Sequence, residues 1–135
     1  KYTVYTVSLH VRRGDYLKLS EYHRILPIEY YINAIKYFTP EHTFVVFSDD
    51  IEWCKINLNQ YLKNVVYIED KDYIELYLMS KCQHNIIANS SFSWWGAYLN
   101  SYKKNITIAP KKWFGPNGPK KVDDLFQSNW ITLDD

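Results

Sequence analysis

Apolar residues along this chain fall into short continuous runs separated by stretches of helical spacing. Residues 3–10 carry Val4, Val7 and Leu9 at spaced positions and predict a first strand. Residues 44–48, 64–68, 84–88 and 105–109 are continuous, apolar-rich runs that predict four more. Behind Pro27, whose fixed φ suits a first helical turn, Ile28, Tyr31, Ile32, Ile35 and Phe38 recur on one helical face. Asp49 and Asp50 mark a second helix start. Asp72 and Glu75 form a cap-and-third-position pair ahead of a third helix with Ile74, Leu78 and Met79, and residues 91–100 predict a fourth. Continuous rather than alternating strands, interleaved with helices, imply a parallel sheet covered on both faces. The predicted fold is therefore α/β, Rossmann-like, in a single domain with its core over residues 1–110. Residues 111–135 turn to Lys, Pro and Gly and predict an irregular segment tacked down by Trp113, Phe114 and Trp130.

Composition narrows the function classes. The length of 135 residues fits one domain with a real core, and the non-methionine start at Lys1 suggests a processed or excised piece. Sixteen basic against 15 acidic residues leave a net charge of +1, too little for a broad field that would hold nucleic acid or an anionic membrane. Any anion site must be local. No run approaches the roughly 18 apolar residues of a membrane span, and no signal peptide precedes the first strand. Cys54 and Cys82 lack metal-type or redox-motif spacing, so a reduced compartment without a metal site is expected, which for a bacterial protein is the cytoplasm. The 18% aromatic content, with 13 tyrosines, reads better as AT-rich codon usage than as a ligand surface.

Polar clusters fall in the loops after strands one, two and four, at the edge where open α/β sheets bind ligands. After strand one comes His10-Val-Arg-Arg-Gly-Asp-Tyr16. Two guanidiniums at a strand end, with a turn glycine and a carboxylate, suit a phosphorylated ligand, because the planar fork of arginine matches two phosphate oxygens at once. Ser90 and Ser91 sit at a strand-to-helix junction, where free N–H groups and the positive dipole end favour a pyrophosphate. The adjacent carboxylates of Asp49 and Asp50 point apart on a turn, which fits helix capping better than metal ligation. Arg12 and Arg13 have the plainer alternative of an ion pair with Asp15. Trp94 and Trp95 fit a core better than a sugar platform.

His10-Val-Arg-Arg-Gly-Asp-Tyr16, Phe47-Ser-Asp-Asp50 with Trp53, Leu76-Tyr-Leu-Met-Ser80 with Cys82 and His84, and Ile87-Ala-Asn-Ser-Ser-Phe-Ser-Trp-Trp-Gly-Ala97 together resemble the α-1,2-fucosyltransferases, glycosyltransferase family 11. The resemblance implies one half of a GT-B enzyme that transfers L-fucose from GDP-β-L-fucose to a sugar hydroxyl with inversion, without metal or other cofactor. It implies that this chain is the donor-binding half, that a preceding acceptor-side domain is missing, and that a eukaryotic member would work in the Golgi lumen. By the same resemblance Arg12 stabilises the departing β-phosphate, His10 bonds guanine or ribose, and Ser90 and Ser91 contact phosphates or guanine. Arg13 and Asp15 brace the loop, while Ser48, Asp49, Asn89 and Ser93 complete the donor-binding set. Glu75 stands where the family usually has the Asp that reads guanine. Two alternatives remain open at this point: transfer to another acceptor such as a protein hydroxyl, and a non-catalytic nucleotide-binding or adhesive module, the latter suggested by Arg13-Gly14-Asp15.

Overall fold

The computed structural model of the chain describes residues 5–17, 23–119 and 122–134, without the side chains of Asp15 and Asp123. Among the described residues, six strands form one sheet: β1 (Thr6–Val11), β2 (Thr43–Ser48), β3 (Asn64–Ile68), β4 (His84–Ile86), β5 (Thr107–Pro110) and β6 (Ile131–Leu133). Their order is β3-β2-β1-β4-β5-β6, and every pairing is parallel. The direction of winding reverses between β1 and β4, so the loops leaving these two strands diverge and open a crevice beyond their carboxyl ends. Helices α1 (Ile28–Ile35), α2 (Ile51–Leu58), α3 (Asp72–Lys81) and α4 (Ser91–Tyr98) connect the strands. The predicted Rossmann-like architecture is present. It extends further than expected, because β6 forms within the segment read as irregular, and residues 1–4, including Val4, lie outside the description.

All six residues of β1 are buried, but its two faces differ. Val7, Leu9 and Val11 join Val46, Cys54, Leu58, Ile86 and Ile108 in the larger apolar cluster. Helix α1 contributes Tyr30, Tyr31, Ala34 and Ile35 to it. The buried stripe is thus shifted from the predicted one, and the helix stops before Phe38. Tyr30 is tolerated in full burial because its hydroxyl donates to the Ile87 carbonyl at 2.6 Å and reaches that of Ile108 at 3.2 Å.

The other face is built from small polar side chains. Asn85 Nδ2 donates to Ser8 Oγ at 2.6 Å and to the Met79 carbonyl at 2.9 Å. Asn100 Nδ2 in turn donates to Asn85 Oδ1 at 2.7 Å and lies 2.9 Å from the Cys82 carbonyl. The network ties β1, β4, the end of α3 and the end of α4 together. Close approach of α3 and α4 completes this layer: a Cβ on Gly96 would lie 2.9 Å from Met79 Cβ, so only glycine fits. Trp94 packs on a second apolar cluster with Trp113 and Trp130, whereas Trp95 is 48% exposed rather than core, because the inward face of α4 is Ser93, Gly96 and Ala97.

Replacing Asn85 by Leu keeps the volume and strands the partners. Each orphaned buried group costs about 1–3 kcal/mol, so Asn85→Leu is expected to lower unfolding free energy by about 2–4 kcal/mol in urea titrations. A loss below about 0.5 kcal/mol would show that the network does not hold the layer together.

Candidate functional site

β1 ends at Val11, and the chain turns through Arg12, Arg13 and Gly14 into a short 3-10 turn. The turn is held from outside. Asp49, in the loop after β2, accepts the Arg13 N–H at 2.9 Å on one carboxylate oxygen and the Gly14 N–H at 2.8 Å on the other. A Cβ at Gly14 would sit 2.8 Å from that second oxygen, so glycine is required here for close approach and not for unusual dihedrals. Ser48 staples the same two loops, its Oγ donating to the Val11 carbonyl at 2.7 Å and accepting the Asp50 N–H at 2.9 Å.

The two arginines diverge. Arg13 Nε lies 3.6 Å from Asp50 Oδ2, and its guanidinium stacks 4.2 Å over the Trp53 ring, on the flank of α2. Its bracing partners are Asp50 and Trp53; pairing with the Asp15 side chain lies outside the described residues. With this guanidinium turned into the fold, the Arg-Gly-Asp tripeptide loses its basis as an adhesive loop. Arg12 lies beside Asp49, Nε to Oδ2 3.6 Å, and 5.1 Å above the Tyr16 ring, which stacks on His23 at 4.6 Å. The two aspartates also divide their work. Asp50 caps α2 by accepting the Trp53 N–H at 3.2 Å, whereas Asp49 grips the β1 loop instead of capping.

At the end of β4, Ser90 caps α4, its Oγ accepting the Phe92 N–H at 3.2 Å, and Ser91 is exposed in the first turn. Ser93 is buried, with Oγ accepting the Ala88 N–H at 3.2 Å. Asn89 Nδ2 donates to the carbonyls of Arg24 at 2.6 Å and Trp113 at 2.8 Å. The polar atoms of Ser48 and Ser93, and the amide nitrogen of Asn89, are therefore committed to the scaffold. Tyr16 closes the arrangement by donating its hydroxyl to the Asn89 carbonyl at 2.8 Å, joining the β1 and β4 loops.

Between these loops lies a cleft of about 320 Å³, lined by His10, Arg12, Ser48, Asp49 and Phe92 together with Glu69, Asp70, Asp72 and Glu75. Glu75 does not form the predicted capping box. Lys71 occupies the N-cap of α3 without a side-chain bond, Asp72 is already helical, and Glu75 Oε2 accepts the Asp70 N–H at 2.9 Å. Burial raises the Glu75 pKa, the Asp70 N–H opposes that, and the neighbouring Asp72, Asp70 and Glu69 raise it further. His10 is 5% exposed, and burial together with the Arg12 charge pushes its pKa down to about 3. It is a neutral imidazole, and its Nδ1 is buried without a partner. A larger cavity, about 780 Å³, lies under the C-terminal segment between Arg24, Phe126 and Asp134 and is lined by none of the predicted site residues.

Residues 3–134 match the model of glycosyl transferase family 11. The chain belongs to this family. Among the relatives of this family 11 chain, an O-antigen biosynthesis glycosyltransferase of Escherichia coli is 44% identical over 95% of the chain and 44% of the relative. An α-1,2-colitosyltransferase of Escherichia coli is 45% identical over 96% of the chain and 48% of the relative. The human galactoside α-(1,2)-fucosyltransferase 1 is 28% identical over 94% of the chain and 38% of the relative. The chain thus spans about half the length of the curated bacterial relatives it matches. No solved structure gives a significant match. No helix among the described residues is long and apolar enough to cross a membrane.

Residues that sequence reasoning passed over are Tyr16 and His23, which support Arg12, and Trp53 as the plate under Arg13. Tyr16 and Trp53 stood in the quoted motifs, but nothing local revealed which loop each would touch.

The two buried imidazoles set an acid limit on the fold. His84 Nδ1 accepts the Ile106 N–H at 2.9 Å, which requires an unprotonated nitrogen, and burial with His42 nearby lowers its pKa to about 4. Above pH about 7.5 both His10 and His84 are neutral whether folded or unfolded, so they contribute no pH dependence. As pH falls from there towards 3, the unfolded chain takes up protons that the folded chain refuses, and stability declines. Melting temperature is expected to fall between pH 7 and pH 4.5, with a shallower fall in His84→Gln. An identical slope in that variant would clear His84 of the effect.

Proposed function

We propose that this chain is the donor-binding half of an inverting, metal-independent GT-B transferase that moves L-fucose from GDP-β-L-fucose to a glycan hydroxyl in α-1,2 linkage. The observation that carries this reading is the convergence of Arg12, the capped N-terminus of α4 and the acid-lined cleft at the switch point between β1 and β4. Family membership and the fucosyl- and colitosyltransferase relatives support it. A guanine base entering the cleft would present N1–H and the N2 amine to the Glu75 and Asp72 carboxylates, while His10 Nδ1 takes a bond from base or ribose. The diphosphate would lie against Arg12 and the amides at Ser90 and Ser91.

In this mechanism the acceptor oxygen attacks the anomeric carbon from the face opposite GDP. The bond from that carbon to the β-phosphate oxygen breaks, and its electron pair becomes negative charge on the phosphate. Arg12, prepositioned by Asp49 and Tyr16, stabilises that charge as it develops. The acceptor proton leaves to a base on the acceptor side, supplied by a domain preceding this one. The acceptor in this reading is an oligosaccharide, lipid-linked or free, in a bacterial cytoplasm, and the likeness to a relative named for O-antigen biosynthesis supports a glycan acceptor. A second reading, with colitose as the transferred sugar, is favoured by the 45% identity to the colitosyltransferase.

Calorimetry with GDP, ADP and UDP tests the nucleotide. GDP is expected to bind more tightly by about 1–3 kcal/mol, the cost of leaving a base-reading carboxylate unpaired, and EDTA is expected to change nothing. Equal affinities would remove guanine reading by Glu75. In a polypeptide carrying both halves, Arg12→Lys is expected to reduce kcat by about 100-fold or more with a small change in donor affinity. Arg13→Lys is expected to act on melting temperature instead, through Asp50 and Trp53. The reverse ranking would transfer the phosphate role to Arg13.

A further inference from the structure

Helix α1 buries two adjacent tyrosines, and the fold treats their hydroxyls differently. The Tyr30 hydroxyl donates to the Ile87 carbonyl and reaches that of Ile108, so the scaffold satisfies it. Tyr31 is 1% exposed, and its hydroxyl is buried without a hydrogen-bond partner. An unpaired buried hydroxyl destabilises a fold, and phenylalanine would fill the same space without that penalty. The hydroxyl of Tyr31 therefore contributes nothing to the free chain that its ring does not already supply.

Its surroundings place it under the turn that follows β1. The Trp53 indole meets the Tyr31 ring edge-on at 6.5 Å and carries the Arg13 guanidinium 4.2 Å from its own centre, so Tyr31 and Trp53 together floor the turn. The groups that act on the phenol agree. Burial raises its pKa and Cys54 raises it further, Arg13 opposes them, Asp49 raises it again, and the Arg12 backbone N–H lowers it. The Arg12 N–H thus lies close to the hydroxyl oxygen without closing a hydrogen bond. Asp49 holds the next two amides of the turn, those of Arg13 and Gly14, while the Arg12 guanidinium stands 3.6 Å from the same carboxylate, an ion pair looser than a hydrogen bond.

We propose that Tyr31 is a positioning residue for glycosyl transfer: when a donor phosphate draws the Arg12 guanidinium off Asp49, the turn settles and the Arg12 N–H closes its hydrogen bond to the Tyr31 hydroxyl, fixing Arg12 for the transition state. The inference rests on the donor reading of the cleft. Buried beyond the reach of solvent, the hydroxyl never touches the ligand and acts only through the main chain. Its bond is open in the free chain and closed in the loaded one, so it favours the loaded state alone, and an interaction made in one state only is what shifts a population or a barrier.

Tyr31→Phe removes the hydroxyl and keeps the ring. Without ligand its melting temperature is expected to equal or exceed that of the unaltered chain, because no bond is lost. GDP is expected to bind it about 3- to 10-fold more weakly, the scale of one hydrogen bond formed on loading. The bond itself is read at Arg12: in amide hydrogen exchange followed by NMR, GDP is expected to slow the Arg12 amide in the unaltered chain and not in Tyr31→Phe. In a polypeptide carrying both halves, kcat is expected to fall about 10-fold with acceptor KM unchanged. A melting temperature that falls while GDP affinity stays intact makes Tyr31 structural only and overturns the proposal, as does equal protection of Arg12 by GDP in both proteins; the Arg12 amide decides any mixed result. Should Tyr31→Phe fail to fold, exchange in the unaltered chain decides alone, and no slowing of the Arg12 amide by GDP overturns the proposal. Absence of GDP binding to the unaltered chain overturns the donor reading itself, and this proposal with it.

Discussion

A single carboxylate organises the edge on which everything else is built. Asp49 receives two consecutive backbone N–H groups, from Arg13 and Gly14, one on each oxygen, and places Arg12 within ion-pair range of the same oxygen pair. Two charge-assisted bonds to one turn fix its path where the strand no longer can. With the turn fixed, the side chains of Arg12 and Arg13 must leave in different directions. One guanidinium lines the crevice and the other packs, partly buried, against Asp50 and Trp53. The difference in role between two adjacent, chemically identical residues is a property of the loop after a different strand.

The sheet beneath explains why that edge is stable enough to work from. Around β1 and β4 its two faces solve burial differently, one with aliphatic packing around Val7, Leu9 and Ile86, the other with the Ser8, Asn85 and Asn100 network. The polar face carries a constraint the aliphatic face does not, since every donor must keep its acceptor. It also contains His10, the next residue after Ser8 on the same face of β1, so the cleft continues the polar layer to the strand end.

Most of the architecture was legible in the sequence because parallel strands buried on both faces leave continuous apolar runs, and the second, third and fourth helices start close to where polar or turn residues announce them. What failed did so for identifiable reasons. Strand β6, at Ile131–Leu133, is three residues long and draws its stability from pairing with β5, a contact invisible to local pattern. The capping pair at Asp72 and Glu75 has the right spacing, but the helix begins one residue early and the glutamate turns back to Asp70. In the site, Arg12, His10 and Glu75 could be named from motif and chemistry. The partition of Asp49 and Asp50, and the commitment of Ser93 and the Asn89 amide to scaffold, depend on partners 5 to 65 residues away.

The lining of the cleft is unbalanced in charge. Against one guanidinium, Arg12, stand five carboxylates among the described residues, Asp49, Glu69, Asp70, Asp72 and Glu75; Asp49 already lies 3.6 Å from Arg12 Nε, and the imidazole of His10 is neutral. A small, uniformly negative ion meets little net attraction in such a lining, because the one positive group has a carboxylate beside it and the other carboxylates repel the ion. A surface rich in N–H donors meets the opposite balance, so the cleft discriminates by charge before any particular atom is read.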